Sequence, residues 1–183
     1  MCAERGEGTP VAAVVLAAGA ATRFGSPKQK LMLGEVLGRL RLSREIGEVV
    51  VVSGAFDLET EERVARCEEW ELGPGASLRC GLDALDDTTP AAAVILADGP
   101  DLAPAAVDRV VGAWRAGVGD VVAASYGGVR GHPVVLDRVV WGTVPDEGAR
   151  ALTPVLVPCD DLGDPGDVDR PEDLPERLRD DFR

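Results

Sequence analysis

The chain contains little lysine, histidine or cysteine. Its 183 residues include two lysines, Lys28 and Lys30, one histidine and four cysteines, beside 17 arginines. With one histidine, sites built from several imidazoles are barely available. The cysteines form no CxxC pair, so neither a zinc site nor a redox motif is indicated, and reduced thiols are expected.

Long apolar runs are also missing. The two longest, 11–18 and 91–97, are far shorter than the roughly 20 residues that a helix needs to cross a bilayer. The first seven residues, MCAERGE, do not have the pattern of a secretory leader. We therefore expect no membrane association and a cytoplasmic location.

The charge balance is acidic, but one window contains no acidic residue. The chain has 32 acidic and 19 basic residues, a net charge of -13, and such a surface repels nucleic acid backbones. No nucleic acid partner is therefore expected. Between Glu7 and Glu35 there is no acidic residue, and Arg23, Lys28 and Lys30 all lie there. This window predicts a local positive site within an acidic protein.

Short apolar runs alternate with amphipathic or charged segments along the chain. Strands are predicted at 11–16, 49–52, 64–67, 92–97, 121–125, 134–136 and 155–157. Helices are predicted at 31–46, 57–63, 77–85, 105–114 and from about 174, with Ser77 as a candidate cap. Continuous apolar strands are typical of sheets covered on both faces. The pattern predicts one α/β domain, residues 1–183, with a largely parallel sheet.

In such sheets, ligands bind beyond the carboxyl ends of the strands. The loop after Leu16 is rich in small residues and carries Arg23 and Lys28, the composition of a phosphate cradle. It is neither a Walker loop nor a GxGxxG fingerprint. The alternative is a flexible surface loop with two solvated cations.

A carboxylate follows another buried strand, at Asp98. A carboxylate opposite a phosphate cradle is where Mg²⁺ would bridge a protein and a triphosphate. The alternative is that Asp98 and Asp101 cap the turn and the helix that begins near Pro104. Both interpretations are open at this point.

Five segments together resemble a known family: LAAGAATRFGSPK, GPGASLRCGL, LADGPDL, GVRGHPVVL and DVDRPEDL. In this order they resemble the MobA-like nucleotidyltransferases, which include the molybdenum cofactor cytidylyltransferases and guanylyltransferases. The resemblance implies a three-layer αβα Rossmann-like fold of the nucleotide-diphospho-sugar transferase type, with a mostly parallel sheet.

The resemblance also implies roles for individual residues. Arg23 and Lys28 would hold the triphosphate and the departing pyrophosphate as catalytic residues. Asp98 and Asp169 would bind Mg²⁺. The residues expected at the nucleotide and the acceptor are Leu16, Ala17, Ala18, Gly19, Gly75, Ser77 and His132. The alternative for His132 is a turn residue that shapes the next strand.

The reaction implied is transfer of a nucleoside monophosphate from an NTP to a phosphorylated acceptor such as molybdopterin. Ala18 and the segment Gly75–Leu78 favour CMP over GMP in this comparison. A molybdoenzyme or a chaperone is the implied protein partner. No general base is required, because an acceptor phosphate is already ionised at pH 7.

The sequence departs from the family pattern at several positions. The segments after Lys28 and between Gly54 and Gly73 are shorter, Gly99 replaces a larger residue, and Arg170 replaces a threonine. Two other functions therefore stay open. One is a MobA-like reductase related to nicotine blue oxidoreductase, and the other is a non-catalytic nucleotide-binding or chaperone protein.

Overall fold

The computed structural model describes residues 9–20, 28–166, 168 and 171–179, with the side chains of 28–31 and Pro171 outside that description. Seven strands and four helices are present in these ranges. The strands are β1 Val11–Leu16, β2 Ile46–Ser53, β3 Arg63–Arg66, β4 Ala91–Leu96, β5 Val121–Tyr126, β6 Val129–Asp137 and β7 Val155–Pro158. The helices are α1 Lys28–Leu40, α2 Pro74–Asp83, α3 Pro104–Arg115 and α4 Glu176–Arg179.

All seven strands form one sheet in the order β3-β2-β1-β4-β6-β5-β7. The pairs β1–β2, β1–β4, β2–β3 and β5–β7 are parallel, whereas β6 runs antiparallel to both β4 and β5. Gly127 and Gly128, with φ of 58° and 76°, form the tight turn between β5 and β6. The predicted α/β class with a mostly parallel sheet is confirmed.

Two hydrophobic cores cover the two faces of this sheet. Alternate residues of β1 belong to the two cores. Val11, Ala13 and Val15 pack toward α1 and α3, whereas Ala12 and Val14 pack toward α2. The layers are therefore helix, sheet and helix. None of the helices within the described ranges has the length and apolar character that a bilayer crossing requires.

Buried Trp114 joins α3 to the end of β6. Its Nε1–H donates to Oδ2 of Asp137 at 3.0 Å, while Oδ1 of Asp137 accepts from the amide of Val139 at 3.1 Å. Both side chains are almost fully buried. A carboxylate can be buried here because it receives hydrogen bonds on both of its oxygens.

Three local predictions were wrong. The helix predicted at 31–46 ends at Leu40, and Ile46 is already the first residue of β2. Within β2, Gly47 packs against Pro10: a Cβ added to Gly47 would lie 2.3 Å from Cβ of Pro10. Residues 57–63 form no helix: Arg63 already begins β3, and Glu62 and Asp57 pair with Arg41 and Arg66 outside the segment. Helix α2 begins at Pro74, so Ser77 lies inside it rather than at its cap.

The cysteines within the described residues have free thiols, as expected. Cys67 and Cys159 are buried and Cys80 is half-buried, while Cys2 lies outside the described ranges. Burial, with the neighbouring Cys67 thiol as a second cause, raises the pKa of Cys80 to about 11. Cys80 is therefore protonated near neutral pH, as expected for a structural rather than a nucleophilic thiol.

Gly81 sets how closely α2 lies on the sheet. A Cβ built there would be 2.5 Å from Cγ1 of Val14 and 2.7 Å from Cγ2 of Val52. Both contacts are far inside the van der Waals distance of about 3.5–4.0 Å. This close approach fixes the position of α2 over β1 and β2.

We predict opposite effects for two glycine-to-alanine substitutions. Gly81→Ala should lower the free energy of unfolding by about 1–3 kcal/mol, because the added methyl group overpacks the contact with Val14 and Val52. The control is Gly112→Ala in α3, where an added Cβ meets no atom within 4 Å. That variant should gain about 0.5–1 kcal/mol from helix propensity. Urea unfolding measures both, and equal effects would contradict the packing argument.

Candidate active site

The chain after β1 is held tightly between its neighbouring strands. The amide of Ala17 donates to the carbonyl of Val52 at 3.0 Å, and the carbonyl of Ala18 accepts from the amide of Ala55 at 3.0 Å. Ala17 and Ala18 are buried, Gly19 is exposed, and Leu16 lines a cavity. Of these four predicted nucleotide residues, Leu16 is therefore the one that lines a described cavity.

The beginning of α2 is packed against the loop at 145–148. The amide of Gly75 donates to the carbonyl of Asp146 at 2.9 Å, and a Cβ at Gly75 would lie 2.1 Å from the carbonyl oxygen of Pro145. Ser77 is buried within α2. The predicted nucleotide residues Gly75 and Ser77 are therefore engaged in packing, and Pro74 is the α2 residue that reaches the adjoining cavity.

Asp98 is the second residue after β4 and is half-buried at the carboxyl edge of the sheet. Its carbonyl accepts a hydrogen bond from the amide of Val168 at 3.1 Å. Nearby, the amide of Asp101 donates to the carbonyl of Pro165 at 3.1 Å. Pro165 and Val168 therefore lie along the loop that carries Asp98, and their hydrogen bonds fix the backbone of that loop.

His132 lies near the start of β6, at the same edge as the end of β4. Its carbonyl accepts a hydrogen bond from the hydroxyl of Tyr126 at 3.0 Å. Burial, together with the positive charge of Arg130, lowers the pKa of His132 to about 4, while the charge of Asp98 acts in the opposite direction. The imidazole is therefore neutral at pH 7, and it lies within electrostatic reach of Asp98.

Two cavities lie at this edge, one toward each face of the sheet, and both are lined by Leu96, Arg130, Gly131 and His132. The α2-side cavity, about 310 Å³, is completed by Leu16, Pro74, Val94, Glu147, Ala149 and Arg150. The other cavity, about 460 Å³, is called the tail-side cavity because residues 164–166, near the C-terminal end, line it. It is completed by Ile95, Gly99, Leu102, Tyr126, Val129, Asp164, Pro165 and Gly166. The residues at the start of β6 thus adjoin both spaces.

Arg130 is a site residue that the sequence reasoning missed. Its Nη1 donates to the carbonyls of Leu152 at 2.8 Å and Arg150 at 3.2 Å, and its Nη2 donates to that of Ala149 at 2.7 Å. The available signal was spacing, because Arg130 precedes His132 by two residues and therefore shares a strand face with it.

Some predicted site residues lie wholly or partly outside the described residues. Arg23 and Asp169 lie outside the described residues. For Lys28, at the start of α1, only the backbone is described. Within the described ranges, no three metal-binding side chains cluster together. Asp98 is the predicted metal ligand that lies within the described residues, at the carboxyl edge of the sheet. A single carboxylate that shares Mg²⁺ with substrate phosphates is a common arrangement, so the donor chemistry fits.

Comparison with known proteins gives a family match and one curated relative that is similar over part of its length. The MobA-like NTP transferase domain matches residues 13–153. The bifunctional protein GlmU of Trichlorobacter lovleyi is 35% identical over 115 residues, which is 54% of this chain and 25% of GlmU. The chain thus matches about a quarter of the length of this curated relative.

Solved structures share the same fold. Rv0371c of Mycobacterium tuberculosis is 26% identical with a TM-score of 0.73, over 94% of this chain and 98% of that one. Its manganese complex is 23% identical with a TM-score of 0.64, over 82% and 88%. The CMP:2-keto-3-deoxy-manno-octonic acid synthetase complexed with CTP is 13% identical with a TM-score of 0.68, over 94% and 98%. With the family match over most of its length, the chain belongs to the MobA-like NTP transferase family.

Proposed function

We propose that this protein transfers a nucleoside monophosphate, CMP in preference to GMP, from an NTP to a phosphorylated small molecule and releases pyrophosphate. The observation that carries the proposal is the meeting of two cavities at His132, at the carboxyl edge of the sheet, where the charge of Asp98 reaches the imidazole. A transferase must hold two substrates with their reacting atoms in contact. Two spaces with a common border at Leu96 and residues 130–132 meet that requirement.

We assign the nucleotide to the α2-side cavity and the acceptor to the tail-side cavity. Leu16, at the start of the predicted phosphate cradle, lines the first of these spaces. The second is the larger, and Tyr126 and Asp164 give it polar groups beside apolar ones. Such a mixed lining suits an acceptor with both a ring and a polar group.

The bond changes in the proposed reaction are simple. An oxygen of the acceptor phosphate attacks the α-phosphorus of the NTP, the bond between that phosphorus and the bridging oxygen breaks, and pyrophosphate leaves. Because the attacking phosphate is already ionised, no side chain must remove a proton. A neutral His132 fits this chemistry as a hydrogen-bonding neighbour of the substrates rather than as a cation. Lys28 and Arg23 are proposed to neutralise the triphosphate.

A divalent cation is part of the proposal, with Asp98 and Asp169 as its protein ligands. When bound, Mg²⁺ or Mn²⁺ would offset the negative charge of the phosphates. The amide of Val168, the residue before Asp169, donates to the carbonyl of Asp98, and this contact supports the pairing. Rv0371c, a fold relative, has been solved with manganese.

The preference for cytidine and the identity of the acceptor come from the resemblance. Ala18 and the segment Gly75–Leu78 follow the cytidylyltransferase pattern, and a relative of this fold has been solved with CTP. Molybdopterin is the acceptor that we propose. A molybdoenzyme or a chaperone is the protein that we propose receives the product.

The function is tested by measuring pyrophosphate release. The protein is incubated with CTP, GTP, ATP or UTP and with Mg²⁺ or Mn²⁺, in the presence and absence of molybdopterin. We expect release with CTP above GTP that depends on both the metal and the acceptor. Thermal stabilisation by NADH with no response to any NTP would contradict the transferase function and support the reductase alternative.

We predict that Asp98→Asn lowers the rate of pyrophosphate release at least about 100-fold while the protein stays folded, because the metal loses a charged ligand. The matched control is Asp101→Asn in the same loop. Asp101 pairs with Arg177 at 2.7 Å and Arg39 at 3.6 Å. Such exposed pairs contribute little stability, so this variant should keep the rate within about threefold. Equal losses in both variants would refute the role of Asp98.

We predict that the imidazole of His132 titrates with a pKa of about 4. It is the single histidine of the chain, so its proton NMR resonances are unambiguous. An unfolded histidine takes up its proton near pH 6.5, so the stability contributed by neutral His132 is complete above that pH and is lost as the pH falls toward 4. The loss should reach up to about 3 kcal/mol. His132→Gln should not show it, and a measured pKa near 6.5 would contradict the burial argument.

A further inference from the structure

Arg130 is held by carbonyl oxygens alone among the described residues. Its three hydrogen bonds go to the carbonyls of Ala149, Arg150 and Leu152. Burial is the cause that lowers its pKa, and within the described residues no neighbouring carboxylate acts to raise it. Carbonyl groups orient a guanidinium without cancelling its full charge. The result is a fixed, partly buried positive group.

The carbonyl contacts leave part of the guanidinium available. Three N–H groups are engaged, so Nε–H and one Nη2–H can still donate to a ligand. Arg130 also lines both cavities at their common border. A guanidinium with two remaining donors suits a phosphate group, which accepts paired hydrogen bonds.

We propose that Arg130 binds the phosphate group that is transferred, and that residues 149–152 position it. This inference rests on the proposed function, because the transferred phosphate lies between the nucleotide and the acceptor. An NTP in the α2-side cavity and an acceptor in the tail-side cavity place that phosphate at their border. A preorganised cation there stabilises the charge that develops as the bond to pyrophosphate breaks.

Kinetics of three variants test the proposal, with CTP, Mg²⁺ and molybdopterin as the substrates and metal. Arg130→Gln should lower kcat for pyrophosphate release at least about 100-fold with a much smaller change in the KM for CTP. Arg130→Lys, which keeps the charge, should restore part of kcat. A kcat for Arg130→Gln within about threefold of the unmodified protein would overturn the proposal.

Arg79→Gln is the matched control. Arg79 also holds the neighbouring loop, through the carbonyl of Val144 at 3.0 Å and the carboxylate of Asp146 at 3.0 Å, but it lines neither cavity. It should lose stability without a comparable loss of kcat. If both variants lose kcat equally, Arg130 acts only by holding the loop, and the proposal fails.

A binding measurement separates this inference from the proposed function. Inorganic phosphate, added without metal, should shift the NMR resonances of His132 in the unmodified protein and not in Arg130→Gln. A shift of equal size in folded Arg130→Gln would overturn the proposal. No shift in the unmodified protein would overturn anion binding at Arg130, even if Arg130→Gln fails to fold. A shift without pyrophosphate release from any NTP would leave the anion site intact and refute the transferase reaction.

Discussion

The direction of β6 is the constraint on which the site depends. In a wholly parallel sheet, the carboxyl edge is made only of strand ends. Because β6 is antiparallel to β4 and β5, its beginning lies at that edge, so Arg130 and His132 lie at the same edge of the sheet as Asp98, and His132 is within electrostatic reach of it. The turn at Gly127 and Gly128 makes this reversal possible, since both residues adopt the positive φ that a two-residue hairpin turn requires.

Small residues let the layers approach this edge. Gly81 allows α2 to lie directly on Val14 and Val52, and Gly75 allows the start of α2 to contact the loop at Pro145 and Asp146. The same loop continues into residues 149–152, whose carbonyls hold Arg130. The loop that packs against α2 therefore also orients the guanidinium of Arg130.

The central strands could be predicted from the sequence because they are buried on both faces, so continuous apolar runs mark them. The position of Asp98 followed from its place directly after such a run. The failures came where long-range contacts decide local structure. Charged residues at 57–63 suggested a helix but pair with Arg41 and Arg66, and the helical pattern around Leu40 hid the start of β2. Arg130 was missed because its partners are backbone carbonyls, which no side-chain motif reveals.

The small size of Gly99 has a consequence for how this site can change over time. A Cβ at Gly99 would already lie 3.4 Å from the carbonyl of Gly166 and from Cβ of Pro165, so the segment 164–166 lies against the loop that bears Asp98. That segment forms one wall of the tail-side cavity and contributes no residue to the α2-side cavity. Substitutions in residues 164–166 can therefore change the shape of the tail-side cavity while β4, β6 and the α2-side cavity stay unchanged. A change in what the tail-side cavity accepts therefore does not require a change in the α2-side cavity.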